Sequence, residues 1–360
     1  MMSYKKTYTL PFKFNIPNYI EEYIQKKSIM SLIKYIKRYL YLYIKRQHSL
    51  EIFQISKKHK DILWINFSAP SMGDSLMDLS SRSLLSNKRV DLLTDKKNVD
   101  LFDHDVFFSS VSSNKHIVAQ KSYDLVIIDS YSTRSIKIKT EVAFSSPYLG
   151  LYGYFNGPEV NRVLFSFHQL NNLLGYIKTE EEITNIANSS ISISSDEKCL
   201  VDTLNLPQKF IAIVIGGEWD YRTYNNWSEL IQKLQSKDKS LKIVLVGSIN
   251  AKTDEKQILE SFHSSNLVSY VAKFTFKQTA QIIRKATILF CCDGGLMHAA
   301  NAFGTINICL FARIQAEMRL TKACKSFPLF DETDVNNILV DEIMLTYLEA
   351  VNFDRNHLLT

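Results

Sequence analysis

The second half of the chain alternates short apolar runs with helix-forming segments, and this alternation restricts the fold more than any other feature. Each run ends at a glycine or a turn, and an amphipathic segment follows it. The predicted strands are 210–215, 241–246, 267–271, 287–292 and 306–311, with helices over about 226–235, 254–263, 277–285 and 296–303. Buried parallel strands are apolar throughout because helices cover both faces of their sheet. The pattern therefore predicts a doubly wound parallel sheet of the α/β class.

The first half repeats this pattern more weakly. Residues 61–68 form an apolar run that ends at a turn containing Gly73, and helical spacing follows; further strands are expected at 90–93 and 123–129. Residues 178–199 are polar and Ser-rich, which is typical of a boundary or linker. A length of 360 residues fits two domains. We expect an extension over 1–60, a first Rossmann-like domain over 61–200 and a second over 201–360, with the two domains facing a cleft.

Cysteine usage and hydropathy indicate a cytoplasmic protein. The five cysteines include the adjacent pair Cys291 and Cys292 and have neither disulfide-framework nor metal-site spacing. No run of ~18 apolar residues could span a bilayer, and the N-terminus lacks the features of a signal peptide.

Positive charge is concentrated at the N-terminus. The whole chain has a net charge of +6, whereas residues 1–60 contain 13 basic and three acidic residues, a net +10, so the remainder carries −4. This asymmetry predicts an anionic surface as the partner of the extension. The body lacks a basic stripe, so we do not expect nucleic acid as a partner.

Residues 26–46 contain neither Pro nor Gly and predict an amphipathic helix. Its basic side would carry Lys27, Lys34, Arg38 and Lys45, and its apolar side Ile29, Leu32, Ile36, Tyr39, Leu40 and Tyr43. Such a helix can lie in the headgroup region of an anionic membrane. The alternative is a helix docked on its own protein with a solvated basic side. The sequence leaves both open.

Three loops at the carboxyl ends of predicted strands are candidate binding sites, because ligands of open α/β sheets bind there. The first is Ser71-Met72-Gly73-Asp74. Gly73 permits close backbone approach, and the Asp74 carboxylate would act as a general base toward a sugar hydroxyl. The alternative role for Asp74 is stabilisation of the positive end of a helix.

The second and third loops predict a phosphate site. Gly216 and Gly217 follow a strand, and Arg222 would supply a bidentate charge, although paired glycines also simply make turns. In the third loop a strand ends at Asp293, and the amides of Gly294 and Gly295 would bind a diphosphate at a helix N-terminus. Asp293 could alternatively be a simple cap. His298 follows in that helix as a structural or ligand-orienting residue.

Taken in order, these loops resemble the family 9 glycosyltransferases, whose best-known members are ADP-heptose:lipopolysaccharide heptosyltransferases. The first loop resembles the family's S-[LM]-G-D element. The segment from Ile215 to Trp227 resembles its strand, loop and K-x-W element, and the segment from Asp293 to Thr305 resembles D-[TS]-G-x-x-H-x-A-x-A-x-G-x-P. The resemblance covers roughly residues 61–350 and excludes the basic extension.

The resemblance implies a GT-B fold and assigns roles to matching positions. Asp74 would deprotonate the acceptor hydroxyl, the Gly294 and Gly295 amides would bind the diphosphate, and Asp293 would bind sugar hydroxyls. Phe274 would contact the nucleotide base. Asp254 or Glu255 would hold the ribose.

Several positions depart from the family pattern. Asn225 replaces the phosphate-neutralising Lys, so Arg222 is our candidate substitute. Gly294 replaces a Thr or Ser, and Ile306 replaces a Pro. The usual F-G-x-T ending is Phe311-Ala312-Arg313-Ile314. The donor's identity is therefore less constrained than its class.

The function implied is inverting, metal-independent transfer of a sugar, in the best-known members a heptose from ADP-heptose, to a lipopolysaccharide or lipooligosaccharide core. Asp103-His104-Asp105 has the D-x-D form but lies outside the matched loops. We expect no cofactor and no metal. The expected partners are a nucleotide-sugar donor, a glycolipid acceptor and, through residues 1–60, the cytoplasmic face of the inner membrane. The alternatives are another nucleotide sugar, a protein or soluble-glycan acceptor, and a non-catalytic GT-B scaffold.

Overall fold

The computed structural model describes residues 9–13, 29–67, 69–157, 159–262 and 264–357. The chain divides into two compact units, Met1–Ser192 and Ile193–Thr360. Each unit contains one parallel sheet with flanking helices, so the α/β class predicted from the sequence is confirmed.

Unit 1 is built on five parallel strands in the order β3-β2-β1-β4-β5. Its elements are α1 (Ile29–Ile44), β1 (Asp61–Asn66), α2 (Met72–Asp78), β2 (Arg89–Thr94), α3 (Lys96–Phe102), β3 (Ser110–Ser112), α4 (Lys115–Ala119), β4 (Leu125–Ile128), α5 (Thr133–Val142), β5 (Tyr148–Gly150), α6 (Arg162–Leu173) and α7 (Glu180–Ile186). In β1, Trp64 pairs with Leu92 of β2 and with Ile127 of β4. The strand order reverses between β1 and β4, which is where doubly wound sheets bind their ligands.

Unit 2 is built on six parallel strands in the order β11-β10-β9-β6-β7-β8. Its elements are α8 (Ser195–Asp202), β6 (Ile211–Val214), α9 (Trp227–Lys237), β7 (Ile243–Val246), α10 (Lys252–Ser261), β8 (Leu267–Ser269), α11 (Phe276–Lys285), β9 (Ile288–Cys292), α12 (Gly295–Phe303), β10 (Ile306–Ala312), β11 (Ser326–Asp331) and α13 (Val340–His357). Ile213 of β6 pairs with Leu245 of β7 and with Phe290 of β9. The order reverses between β6 and β9, so the loops after these two strands meet at the switch point.

The central strands are apolar because both faces of each sheet are covered. Ile62 to Ile65 in β1 and Ile243 to Val246 in β7 are fully buried, and separate clusters of apolar side chains pack on the two faces of the unit 2 sheet. A continuous apolar run is the expected sequence of such a strand.

The polar segment 178–199, expected to be a boundary or linker, contains the short helix α7 and the start of α8. Thr179 with Glu182, and Ser194 with Glu197, form capping boxes that start α7 and α8. These caps satisfy free backbone amides of the first turn, so a helix forms although few apolar side chains are buried. The boundary between the units falls between the two helices.

The strand β11 is absent from the sequence prediction because Pro328 makes the segment unlike a strand. β11 pairs in parallel with β10 at the edge of the sheet, where a missing N–H is tolerated.

The predicted N-terminal helix forms as α1, but it docks with the opposite side to the one expected. Tyr35 and Leu42 are buried against unit 1, and Arg38 of the basic side is half-buried between them. The apolar side faces solvent. Lys27 lies outside the described residues. In the described part of the chain, every helix is too short or too polar to cross a bilayer.

Candidate active site

Asp74 lies in the first turn of α2, just after the carboxyl end of β1. Its Oδ2 accepts hydrogen bonds from the backbone N (3.2 Å) and the hydroxyl (2.6 Å) of Ser71, and the Ser71 hydroxyl accepts one from the backbone N of Asp74. Met72 and the buried Gly73 form the start of the helix. Asp74 therefore has the capping role that the sequence offers as an alternative, and this role also orients its carboxylate.

Arg162 is the second partner of Asp74. It begins α6, and its Nη1 donates to Asp74 Oδ1 at 2.5 Å, while Nε and Nη2 donate to the two oxygens of Asp78 at 2.7 and 2.5 Å. Tyr152 donates its hydroxyl to Asp78 Oδ1 at 2.7 Å. Burial lowers the pKa of Arg162, but the charges of Asp78 and Asp74 outweigh burial and hold that pKa well above its ordinary value.

Sequence reasoning missed Arg162, although a signal for it exists. Asp74 and Asp78 are four residues apart on one helix face, where like charges repel. Such a pair is stable when a cation lies between them. The sequence does not say which of its arginines fills that place.

A network of buried polar side chains connects α2 to the ends of β1 and β4. Asp129, which follows β4, accepts hydrogen bonds from Asn66 Nδ2 and the backbone N of Phe67. Ser75 of α2 donates to Asn66 Oδ1 and accepts from Asn98 Nδ2. The network joins the ends of β1 and β4 to the helix that carries Asp74, so that helix is fixed to the switch point of the sheet.

In unit 2, the structure brings together Arg222 and Asp293, which the sequence predicts as donor-binding residues. Arg222 Nη1 donates to Asp293 Oδ2 at 2.9 Å, and both side chains are largely buried. Asp293 directly follows β9, and Arg222 lies in the loop after β6. This ion pair therefore occupies the switch point of the sheet.

Two further arginines lie near this pair and are absent from the sequence prediction. Arg319 Nε is 3.8 Å from Asp293 Oδ2. The Arg313 guanidinium lies 4.0 Å from the centre of the Tyr221 ring, and Arg222 lies 5.6 Å from the same ring. Arg313 follows β10 within the segment that departs from the family pattern. Arg222 and Arg319 therefore lie close to the buried carboxylate of Asp293, whereas Arg313 is exposed over the Tyr221 ring and donates its Nε to the Thr333 carbonyl.

Gly216 and Gly217 are required by close approach of the backbone. Gly216 has a φ of +77°, and a Cβ there would lie 2.7 Å from Ala251 Cβ; at Gly217 it would lie 2.3 Å from Thr223 Oγ1. The loop after β6 is thus packed tightly against neighbouring loops. Its role toward a phosphate stays a prediction.

Gly294 and Gly295 lie at the N-terminus of α12, as predicted. Gly294 is the N-cap residue and Gly295 the first helical residue. His298 is buried within this helix. The helix places backbone N–H groups next to Asp293, an arrangement that suits an anion.

The residues expected to contact the ribose and the nucleotide base can be compared by their surroundings. Glu255 accepts from Lys252 Nζ at 2.8 Å and from the Ser269 hydroxyl, so its carboxylate is used within the fold. Burial raises the pKa of Asp254, which is half-buried on α10. We therefore keep Asp254 as the ribose candidate. Phe274 is half-buried just before α11, with its ring 5.6 Å from that of Tyr270.

Other residues singled out by the sequence have structural roles. Asp105 of the D-x-D segment forms a fully buried ion pair with Arg82 at 2.6 Å. The backbone N of Asn225 donates to Asn336 Oδ1, and the Asn225 side chain is exposed. Within the described ranges, no cluster of three or more His, Cys, Asp or Glu side chains could hold a metal ion.

The family comparison covers the end of unit 1 and most of unit 2. The model of glycosyltransferase family 9 (heptosyltransferase) matches residues 145–325, half of the chain. This range includes Arg162, Arg222 and Asp293 but not Asp74. No curated protein sequence matches the chain significantly.

Solved structures share the fold at low sequence identity. The ADP-heptose lipopolysaccharide heptosyltransferase II of E. coli is 16% identical with a TM-score of 0.64, covering 82% of this chain and 99% of that one. A family 9 glycosyl transferase of Veillonella parvula DSM 2008 is 12% identical with a TM-score of 0.68, covering 82% and 98%. The iron-containing dodecameric glycosyltransferase TibC of enterotoxigenic E. coli is 9% identical with a TM-score of 0.51, covering 82% and 77%.

These similarities show the GT-B type of α/β fold for this chain. The iron named for TibC belongs to that protein. For the present chain, the expectation of no metal and no cofactor stays untested. Because the family model matches half of its residues, the chain belongs to glycosyltransferase family 9 and is a heptosyltransferase-like glycosyltransferase.

Proposed function

We propose that the enzyme transfers a heptose from ADP-heptose to the core of a lipopolysaccharide or lipooligosaccharide, with inversion and without a metal ion. The donor is supported by the name of the E. coli structure, an ADP-heptose heptosyltransferase. The two arginines next to Asp293, Arg222 and Arg319, support an anionic donor.

The observation that carries the proposal is the orientation of the Asp74 carboxylate. Each carboxylate oxygen can accept about two hydrogen bonds. Oδ2 accepts both of its bonds from Ser71, whereas in the described contacts Oδ1 accepts one, from Arg162. Oδ1 is therefore the oxygen that takes the proton of the acceptor hydroxyl as that oxygen attacks the anomeric carbon.

The bond that breaks joins the anomeric carbon to the diphosphate. The departing diphosphate keeps the bonding electron pair, and its growing negative charge is stabilised by Arg222 and by the amides of Gly294 and Gly295. Inversion follows because attack and departure occur on opposite faces of the sugar.

Replacement of the base tests the proposal. We expect Asp74→Ala to lower the rate of heptose transfer to heptose-free lipopolysaccharide by ~10²-fold or more, the range for a lost general base. Donor affinity should stay within about twofold of wild type. The measurements are ADP release and equilibrium binding of ADP-heptose. Wild-type turnover in this variant would remove Asp74 from the mechanism.

A matched control separates catalysis from capping. Glu182 is the third residue of the α7 capping box, the same position that Asp74 has in α2. Glu182→Ala should lower the stability of the folded state by loss of the same kind of cap and leave turnover unchanged. If the wild-type enzyme binds the donor but glycosylates no acceptor, the non-catalytic alternative gains support.

We also propose that the enzyme works at the cytoplasmic face of the inner membrane. The support is the net charge of +10 in residues 1–60 and the glycolipid nature of the proposed acceptor.

A further inference from the structure

The helix α1 exposes a continuous apolar stripe. Of the 23 large apolar side chains that are exposed in the described part of the chain, nine belong to this helix of 16 residues. The centre of the stripe consists of Ile29, Ile33, Ile36, Leu40 and Ile44, and Ile29 and Ile44 are 78% and 72% exposed. A shallow groove of about 380 Å³ is lined by the last four of these residues together with Lys37 and Tyr41. Soluble proteins rarely expose such a patch without a partner.

The opposite side of the helix is held by unit 1. Leu42 is 1% exposed, and the Tyr35 ring lies 5.4 Å from the ring of Tyr154. Just after the helix, Gln47 is buried and accepts a hydrogen bond from Lys139 Nζ at 2.5 Å. The stripe thus faces away from the surface on which α1 docks, and its exposure does not require the helix to detach.

Charge decides which partner fits the stripe. The sequence has no acidic residue from 23 to 50, and Lys34 and Lys37 are exposed along one margin of the stripe. A second copy of the chain would bring the same lysines together, because a twofold contact joins identical patches. An anionic lipid surface neutralises them and takes up the apolar side chains. Tyr39 and Tyr43, on the other margin, suit the headgroup level.

We propose that the α1 stripe inserts into the interfacial layer of an anionic bilayer, with the helix axis in the membrane plane and its opposite side docked on unit 1. At 1.5 Å per residue, α1 is about 24 Å long, short of the ~30 Å needed to span the hydrocarbon core. This inference rests on the proposed membrane association and is independent of the transfer reaction.

Co-sedimentation of the full chain with vesicles tests the surface. We expect Ile33→Ser, Ile36→Ser and Leu40→Ser combined to lower partitioning onto phosphatidylglycerol-containing vesicles at least tenfold. Lys34→Gln with Lys37→Gln should lower it several-fold at low salt and less at high salt. Pure phosphatidylcholine vesicles should bind wild type more weakly than anionic ones.

Matched controls use exposed residues elsewhere. Val106→Ser with Ile249→Ser removes side chains that are 79% and 74% exposed and should leave partitioning unchanged. Thermal unfolding should show that all variants are folded. Wild-type partitioning in the triple serine variant would overturn the proposal. It would also be overturned if the wild-type protein were a dimer and the triple serine variant a monomer that still binds lipid. Since the assay needs neither donor nor acceptor, loss of the proposed reaction would not affect it.

Discussion

At the scale of single residues, Arg162 determines how Asp74 is presented. Two nitrogens of its guanidinium are bound by Asp78, and one remains for Asp74. Asp78 is itself fixed by the Tyr152 hydroxyl. The direction of Asp74 Oδ1 therefore depends on a chain of contacts that begins at Asp78, and Arg162 is a positioning residue in that chain.

We expect Arg162→Ala to lower kcat by about 10²-fold, the cost of a small misplacement of a reacting group, and to leave the KM for the donor nearly unchanged. Arg162→Lys should restore only part of the loss, because an ammonium lacks the planar fork that joins two carboxylates. Steady-state ADP release measures both constants. Arg134→Ala, which removes an exposed pair with Asp95, is the control and should behave as wild type. If kcat stays normal in Arg162→Ala, the arginine only stabilises the fold.

At the scale of elements, a buried lysine joins α5 to the end of α1. Lys139 Nζ donates to Gln47 Oε1 at 2.5 Å and to the Phe144 carbonyl at 2.9 Å, and it lies 4.8 Å from the centre of the Tyr148 ring. Burial lowers the pKa of Lys139 to about 7. The folded protein therefore releases this proton at a lower pH than the unfolded chain does.

The consequence is a stability that rises with pH. Below pH ~7 the buried amine is charged in the folded protein, and the free-energy cost of burying that charge applies in full. Between pH ~7 and ~10.5 the unfolded chain holds one more proton, so the free energy of unfolding increases by up to ~1.4 kcal/mol per pH unit. Urea unfolding between pH 6 and 9 should show this increase in wild type and lose it in Lys139→Met. Lys115→Met, at a surface pair with Glu141, should keep it; equal slopes in wild type and Lys139→Met would contradict the prediction.

Elements were more predictable from the sequence than the contacts between them. The apolar runs of β6, β7 and β9 are local signals, and so is the glycine loop before α12. The side on which α1 docks is not local, because it depends on Tyr154 and Lys139, over 90 residues away. Arg162 was missed for the same reason: it is 88 residues from Asp74. Periodicity identifies the two sides of a helix but not which of them is buried.

At the scale of the whole molecule, donor binding and stability are linked. A ligand that binds only the folded state stabilises it by RT ln(1 + [L]/Kd), or ~2.7 kcal/mol at 100 times Kd. For a folding unit of 150–250 residues this corresponds to a rise in Tm of roughly 5–10 °C. We expect ADP-heptose to produce such a rise in a thermal-shift measurement, and UDP- and GDP-sugars to produce little.

The ion pair of Arg222 with Asp293 in unit 2 makes the thermal-shift test specific. Arg222→Ala removes the cation paired with Asp293 and should abolish most of the shift, because the diphosphate loses a charged partner and the Asp293 carboxylate is left to repel it. Arg284→Ala, at an exposed arginine that stacks on Phe303, should leave the shift intact. If only a UDP-sugar raised the Tm, the donor would be that sugar instead of ADP-heptose, and the proposed binding site would stay the same. A full shift in Arg222→Ala would mean that the diphosphate binds without this arginine, and the substitution of Arg222 for the family's lysine would then be wrong.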